Sequence, residues 1–235
     1  MGAEPTVSVC LPAYNEQATL EDVVREASDL MVSSGIDYEI LVCDDGSSDS
    51  TPEILEKLAP EIPRLRVLTN RPNRGIHYTF ERLYREARMD FVFLNATDGQ
   101  WPMRCLLDLL PLAERCDIAI ASRRDKHYGP LRALVSWSFN RIPRWLFGVE
   151  THDAGSVKLV RRELIERIPI VSHSPFSEAE RMIRAARAGY AIAAVPVDIQ
   201  PRQGGEAGGA TPRLVWESLL DVARVWWSLR SGTDR

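Results

Sequence analysis

The chain has 235 residues, of which 45% are hydrophobic and 26% charged, the balance of a soluble globular protein with one large α/β domain or one domain and a small appendage. The net charge of −4 removes any global preference for nucleic acid, and no nucleic-acid partner is expected. No window reaches about 18 unbroken apolar residues, so no transmembrane helix is expected, and the start Met1-Gly-Ala-Glu-Pro5 carries no signal-peptide pattern.

Val7 to Ala13 is a β-branched run stopped at a proline, a first strand, followed by the polar turn Tyr14-Asn15-Glu16. Thr19 to Met31 has helical apolar spacing, with Thr19 as expected N-cap. Tyr38 to Asp45 is a second strand, and Pro52 sits in the first turn of the helix after it. Leu65 to Thr69 is a third strand, His77 to Ala87 a helix, and Phe91 to Asn95 a fourth strand. This β-α-β-α-β-α-β order implies a mostly parallel sheet whose strand exits collect at one edge.

Beyond it come a short helix from Pro102 to Ala113, a strand from Asp117 to Ser122 and an aromatic helical segment from Leu131 to Gly148. A strand from Ser156 to Val160, a short helix from Arg161 to Ile168 and a helix from Ser177 to Ala188 follow, the last ending at Gly189. Ala191 to Ile199 is a final strand. A glycine-rich loop, 201–209, then leads to an amphipathic helix from Pro212 to Leu229. Its tryptophans suit core packing better than a bilayer surface, because Glu217 and Asp221 would repel anionic lipid.

Cys10, Cys43, Cys105 and Cys116 show no CxxC spacing and read as reduced core residues, as in a cytosolic protein. His77, His127, His152 and His173 have no zinc-like spacing, and no GxSxG, HExxH or Walker motif is present.

Three polar clusters carry the chemistry. Asp44-Asp45-Gly46-Ser47-Ser48-Asp49 leaves a strand directly; its carboxylates suit either a nucleoside and a cation or a plain turn and helix cap. Asp98 and Gln100, with Asn95 nearby, offer hard oxygen donors on one turn, which phosphate oxygens would complete into a Mg²⁺ or Mn²⁺ shell; an ordinary strand-exit turn has the same composition. Arg123, Arg132, Ser136 and Arg202 suit a phosphate clamp or a solvated basic face.

Read in order, Leu11-Pro-Ala-Tyr-Asn-Glu16, Asp44-Asp-Gly-Ser-Ser-Asp49, Asn73-Arg-Gly75 and Thr97-Asp-Gly-Gln100 resemble family 2 glycosyltransferases with a GT-A fold. The resemblance is strongest to the dolichyl- and polyprenyl-phosphate sugar synthases, such as the mannose synthases. Ala121-Ser-Arg123, Arg132 through Ser136 to Asn140, Asp153-Ala-Gly155 before Lys158, and Pro201-Arg202 continue it, over roughly residues 6 to 207.

The resemblance implies a Rossmann-like, mostly parallel sheet in one GT-A domain, residues 1–210, with a C-terminal amphipathic helix and tail, 211–235. It implies that Pro12, Ala13, Tyr14, Glu16 and Asp44 hold the nucleoside, with Asp45 by the ribose or diphosphate. Asp98 and Gln100 would ligate Mg²⁺ or Mn²⁺, and Arg123, Arg132, Ser136 and Arg202 would grip the acceptor phosphate and leaving group, making Asp98, Arg123 and Arg202 the catalytic set.

The activity implied is inverting, metal-assisted transfer from a GDP- or UDP-sugar to a polyprenyl phosphate. The location implied is cytoplasmic, with a membrane surface as a further partner on the cytoplasmic face. The family's usual Asp-x-Asp is departed from at Ala96. Two alternatives stand beside this. One is a soluble hydroxyl acceptor, with Asp153 or Glu180 as base; the other is a catalytically weak nucleotide-sugar-binding protein.

Overall fold

The computed structural model describes residues 5–124, 141–200 and 212–231. β1 (Val7–Ala13) and β2 (Tyr38–Asp44) are buried along their whole length, as parallel strands covered on both faces must be. Their side chains alternate between two cores. Val7, Val9, Leu11, Ile40 and Val42 enter one cluster with α1 (Leu20–Ser34), α2 (Thr51–Glu61) and α4 (Cys105–Leu109). Cys10, Leu41 and Cys43 enter the other. That second cluster is covered by α3 (Ile76–Glu86), α5 (141–147), α6 (Arg162–Arg167), α7 (Ser177–Arg187) and α8 (Pro212–Ser231). The four cysteines are free and buried.

The sheet has seven strands in the order β3-β2-β1-β4-β6-β5-β7. β3 (Leu65–Thr69), β2, β1 and β4 (Phe91–Leu94) are mutually parallel. β6 (Lys158–Arg161) runs antiparallel between β4 and β5 (Ile118–Arg123), and β7 (Ile192–Val197) pairs parallel with β5. The reversal of β6 matters for function. Lys158 pairs with Leu94, so the turn entering β6 lies at the same edge as the turn leaving β4.

The expected elements within the described residues are present, with shifted ends; of the segment expected as helical from Leu131 to Gly148 only 141–148 is described, and the glycine-rich loop 201–209 lies outside the described residues. The segment expected as one helix from Pro102 to Ala113 is α4 followed by a 3₁₀ turn, Leu110–Leu112. Thr19 makes no side-chain cap; its hydroxyl donates to Glu16 Oε2 at 3.1 Å. Among the described residues, no helix is long and apolar enough to cross a membrane.

Candidate functional site

The exits of β1 and β2 are laced together. Asp45 N donates to Ala13 O at 2.8 Å, Ser48 N to Asn15 Oδ1 at 2.8 Å, and Glu16 N to Thr51 Oγ1 at 2.9 Å. Asn15 adopts φ 54°, which turns the chain sharply after Tyr14, whose ring is half exposed. Pro12, Ala13, Tyr14, Glu16 and Asp44 are thus held together at one rim. Asp44 itself is buried, and its Oδ1 accepts from Ser47 N at 3.0 Å.

Asp45 is engaged by the loop that follows β3. Its Oδ1 accepts from Asn70 Nδ2 at 2.7 Å and Arg74 N at 2.9 Å, and its Oδ2 accepts from Gly75 N at 2.8 Å. The carboxylate therefore ties down the 70–75 loop. Gly46 is required beside it: φ is +74°, and a Cβ there would meet Asn73 N at 3.0 Å and Asn70 O at 3.1 Å.

The β4 exit joins the same rim. Thr97 Oγ1 donates to Pro12 O at 2.8 Å, fixing the Asp98 turn against the end of β1. Asp98 is buried, and its Oδ1 accepts from Gln100 N at 3.0 Å. Gln100 O accepts from Gln200 N at 2.9 Å, so the chain leaving β7 closes onto this turn. Asn95 is buried: Oδ1 accepts from Ala96 N at 2.8 Å and Nδ2 donates to Trp101 O at 3.3 Å.

Arg123, the last residue of β5, bridges to the opposite wall. Its Nε lies 3.2 Å from Asp153 Oδ2, and its guanidinium donates to Gly155 O at 3.2 Å. The guanidinium also lies 5.4 Å from the centroid of Trp101, which continues the Asp98 turn. Arg132, Ser136 and Arg202 lie outside the described residues.

Glu180 is no base. It is fully buried, accepting from Arg184 Nε at 2.6 Å and from Ser172 N at 2.8 Å. Lys158 is a residue that sequence reasoning quoted without a role. Its Nζ donates to Ala154 O at 2.8 Å and Ser156 O at 2.9 Å, and lies 2.7 Å from Glu178 Oε2. Burial opposes the ionised form of Glu178, but Lys158 and Arg181 outweigh it and hold the carboxyl below its ordinary value. A lysine inside the apolar run Val157–Val160 was the available signal, since a buried ammonium needs a partner.

Among the described residues, no group of three or more His, Cys, Asp or Glu could hold a metal ion. The donor set still fits a divalent cation that shares a diphosphate: one carboxylate and one amide, both hard oxygen donors, leave most positions to phosphate oxygens and water.

Comparison with known proteins agrees with this arrangement. Glycosyltransferase AglD of Haloferax volcanii is 32% identical, the match covering 95% of this chain and 37% of AglD. The undecaprenyl-phosphate 4-deoxy-4-formamido-L-arabinose transferase of Shewanella sediminis is 27% identical, with 82% of this chain and 58% of that protein covered. This chain thus spans less than two thirds of the length of either. The crystal structure of glucosyl-3-phosphoglycerate synthase from Mycobacterium tuberculosis, in complex with Mn²⁺, UDP and phosphoglyceric acid, superposes with a TM-score of 0.72 at 23% identity. That match covers 94% of this chain and 79% of the synthase and shows the shared fold. The model of the family described as "Glycosyl transferase family 2" matches residues 8–169, more than half of the sequence, and the chain belongs to that family and has its GT-A fold.

Proposed function

We propose that this protein transfers a sugar from a nucleoside-diphosphate sugar to a polyprenyl phosphate, with inversion at the anomeric carbon. The observation that carries the reading is the meeting at one sheet edge of the laced nucleoside rim, the Asp98 turn and the Arg123–Asp153 pair. The relative that names undecaprenyl phosphate supports the acceptor class.

In this reading a phosphate oxygen of the acceptor attacks the anomeric carbon. The bond to the donor diphosphate breaks, and the nucleoside diphosphate leaves with the electron pair. A bound Mg²⁺ or Mn²⁺ would neutralise charge on that leaving group. Asp98 and Gln100 hold the cation side of the donor, and Pro12, Ala13, Tyr14, Glu16 and Asp44 hold the nucleoside. Asp45 acts through the 70–75 loop. Arg123 serves the developing phosphate charge, joined by Arg132, Ser136 and Arg202. A phosphate acceptor is ionised at neutral pH and needs no general base. A polyprenyl acceptor sits in a bilayer, so the reaction runs at the cytoplasmic membrane face.

The net charge of −4 and the place of Asp153 at the same sheet edge favour a second reading, a soluble hydroxyl acceptor with Asp153 as base. One experiment separates them. Purified protein is screened by melting temperature against nucleotide sugars, and the stabilising donor is then offered polyprenyl phosphate. Formation of the lipid-linked sugar is expected. Donor stabilisation with no transfer to any polyprenyl phosphate would overturn the acceptor assignment.

A further inference from the structure

The last helix, α8, is built inside out. Its buried face carries Ser218, Asp221, Val222 and Val225. Asp221 Oδ2 accepts from His173 N at 2.9 Å and Ser174 N at 3.0 Å, so that carboxylate points into the protein and presents no charge outward. At 100° per residue, Trp216, Leu219, Leu220, Ala223 and Trp227 fall on the opposite side. Trp216 is 63% exposed and Trp227 70%, and Leu219 and Leu220 are exposed with them. This overturns the expectation that these tryptophans pack on the core; only Trp226, beneath Arg230, is partly buried.

The charges of α8 lean positive. Its exposed charged residues are Arg213, Arg224 and Arg230; Arg213 Nε donates to Glu217 Oε1 at 2.8 Å and Arg224 to Asp221 Oδ1 at 2.8 Å, so these three arginines against two carboxylates leave one positive charge. α5, which covers the same core cluster, exposes Arg141, Arg144, Leu146 and Trp145, the last at 92%.

We infer that the Trp216–Leu219–Leu220–Trp227 face of α8 is the surface by which this protein lies on an anionic bilayer. Indole rings favour the boundary between headgroups and acyl chains, and flanking arginines are drawn to anionic headgroups. The inference rests on the polyprenyl-phosphate reading for its purpose, since such an acceptor is held in a membrane. It rests on the helix alone for its physics.

The test is flotation of the full chain with vesicles of phosphatidylcholine, with or without phosphatidylglycerol. The protein should float with the anionic vesicles and be released by salt. Its tryptophan emission should be quenched by bromine-labelled lipid in the unaltered chain. Trp216→Ser/Trp227→Ser, changed only at exposed positions, should partition about ten-fold more weakly, with an unchanged melting temperature. Its turnover on a short, water-soluble polyprenyl phosphate should be unchanged.

Equal flotation of the two proteins, or absence of quenching, would overturn the inference. So would a dimer in sedimentation that the double variant dissolves, since a second copy would then cover the stripe. Anionic-vesicle binding that the variant loses, without transfer to any polyprenyl phosphate, would uphold the membrane surface and overturn only the acceptor assignment.

Discussion

Asp45 shows how a conspicuous acidic residue can hold a neighbouring loop in place. Three donors of the 70–75 loop converge on its carboxylate, and Asp45→Ala strands all three, the Asn70 amide in a buried place and the Arg74 and Gly75 amides in half-buried ones. A loss of about 3 kcal/mol in unfolding free energy is expected, with weaker donor binding because the loop is released. Denaturant unfolding and donor titration check both. Ala96 stands where the family usually has its first aspartate. Ala96→Asp adds a charge facing the cation and should lower the metal concentration for half-maximal turnover by about ten-fold; metal titration of the transfer rate reads this directly.

His77 gives the pH dependence a sign. Burial pushes its imidazole down to about 4 from an ordinary 6.5, against the pull of Glu178, Asp221 and Glu217. The unfolded chain therefore binds the extra proton first as pH falls. The contribution is fully present above pH 6.5 and is lost toward pH 4, amounting to about 2 kcal/mol at pH 5. Burial holds the Glu81 carboxyl above its ordinary value, which acts in the opposite sense. The measurement is thus a difference: stability should fall less between pH 7 and 5 in His77→Gln than in the unaltered protein.

At the scale of elements, β6 and the turn before it decide where Asp153 and its partner Arg123 sit. Lys158 is the first residue of β6 and binds two carbonyls of the 154–156 stretch from beneath while paired with Glu178. Lys158→Met leaves Glu178 buried with Arg181 and Tyr84 and should cost roughly 3–5 kcal/mol. In Lys158→Met/Glu178→Leu, most of that stability should return, but turnover should stay low because the turn carrying Asp153 has lost its anchor. Recovery of turnover along with stability would show that the pair is only structural.

These elements also mark what was legible beforehand. The apolar runs of β1, β2, β4 and β5 and the spacing in α1 and α7 announce themselves, because burial on both faces or on one helical stripe leaves a periodic trace. The seat of β6 does not. A four-residue strand carries no signal of its partners, and only pairing with Leu94 and Ile120 places it antiparallel between β4 and β5. The place of Glu180, a candidate base only for a hydroxyl acceptor, is hidden for a similar reason. Its carboxylate serves backbone amides of residues 171 and 172, partners that sequence proximity does not reveal.

At the scale of the whole molecule, one sheet edge collects the laced rim of residues 12–16 and 44–51, the Asp98 turn, and the Asp153 turn reached by Arg123. The polar order along the chain pointed to this convergence; the orientation of α8, with its tryptophans outward, did not follow from amphipathicity alone. A helix with apolar residues on both sides can seat either, and the hydrogen bonds to Asp221 decide which. The central claim is that Asp98 holds the cation beneath a sugar nucleotide. Its most direct test is release of nucleoside diphosphate by dialysed protein, with polyprenyl phosphate as acceptor, as Mn²⁺ is added back. Turnover that requires the metal and falls by about a hundred-fold or more in Asp98→Ala is predicted; metal-independent turnover that Asp98→Ala leaves intact would contradict it.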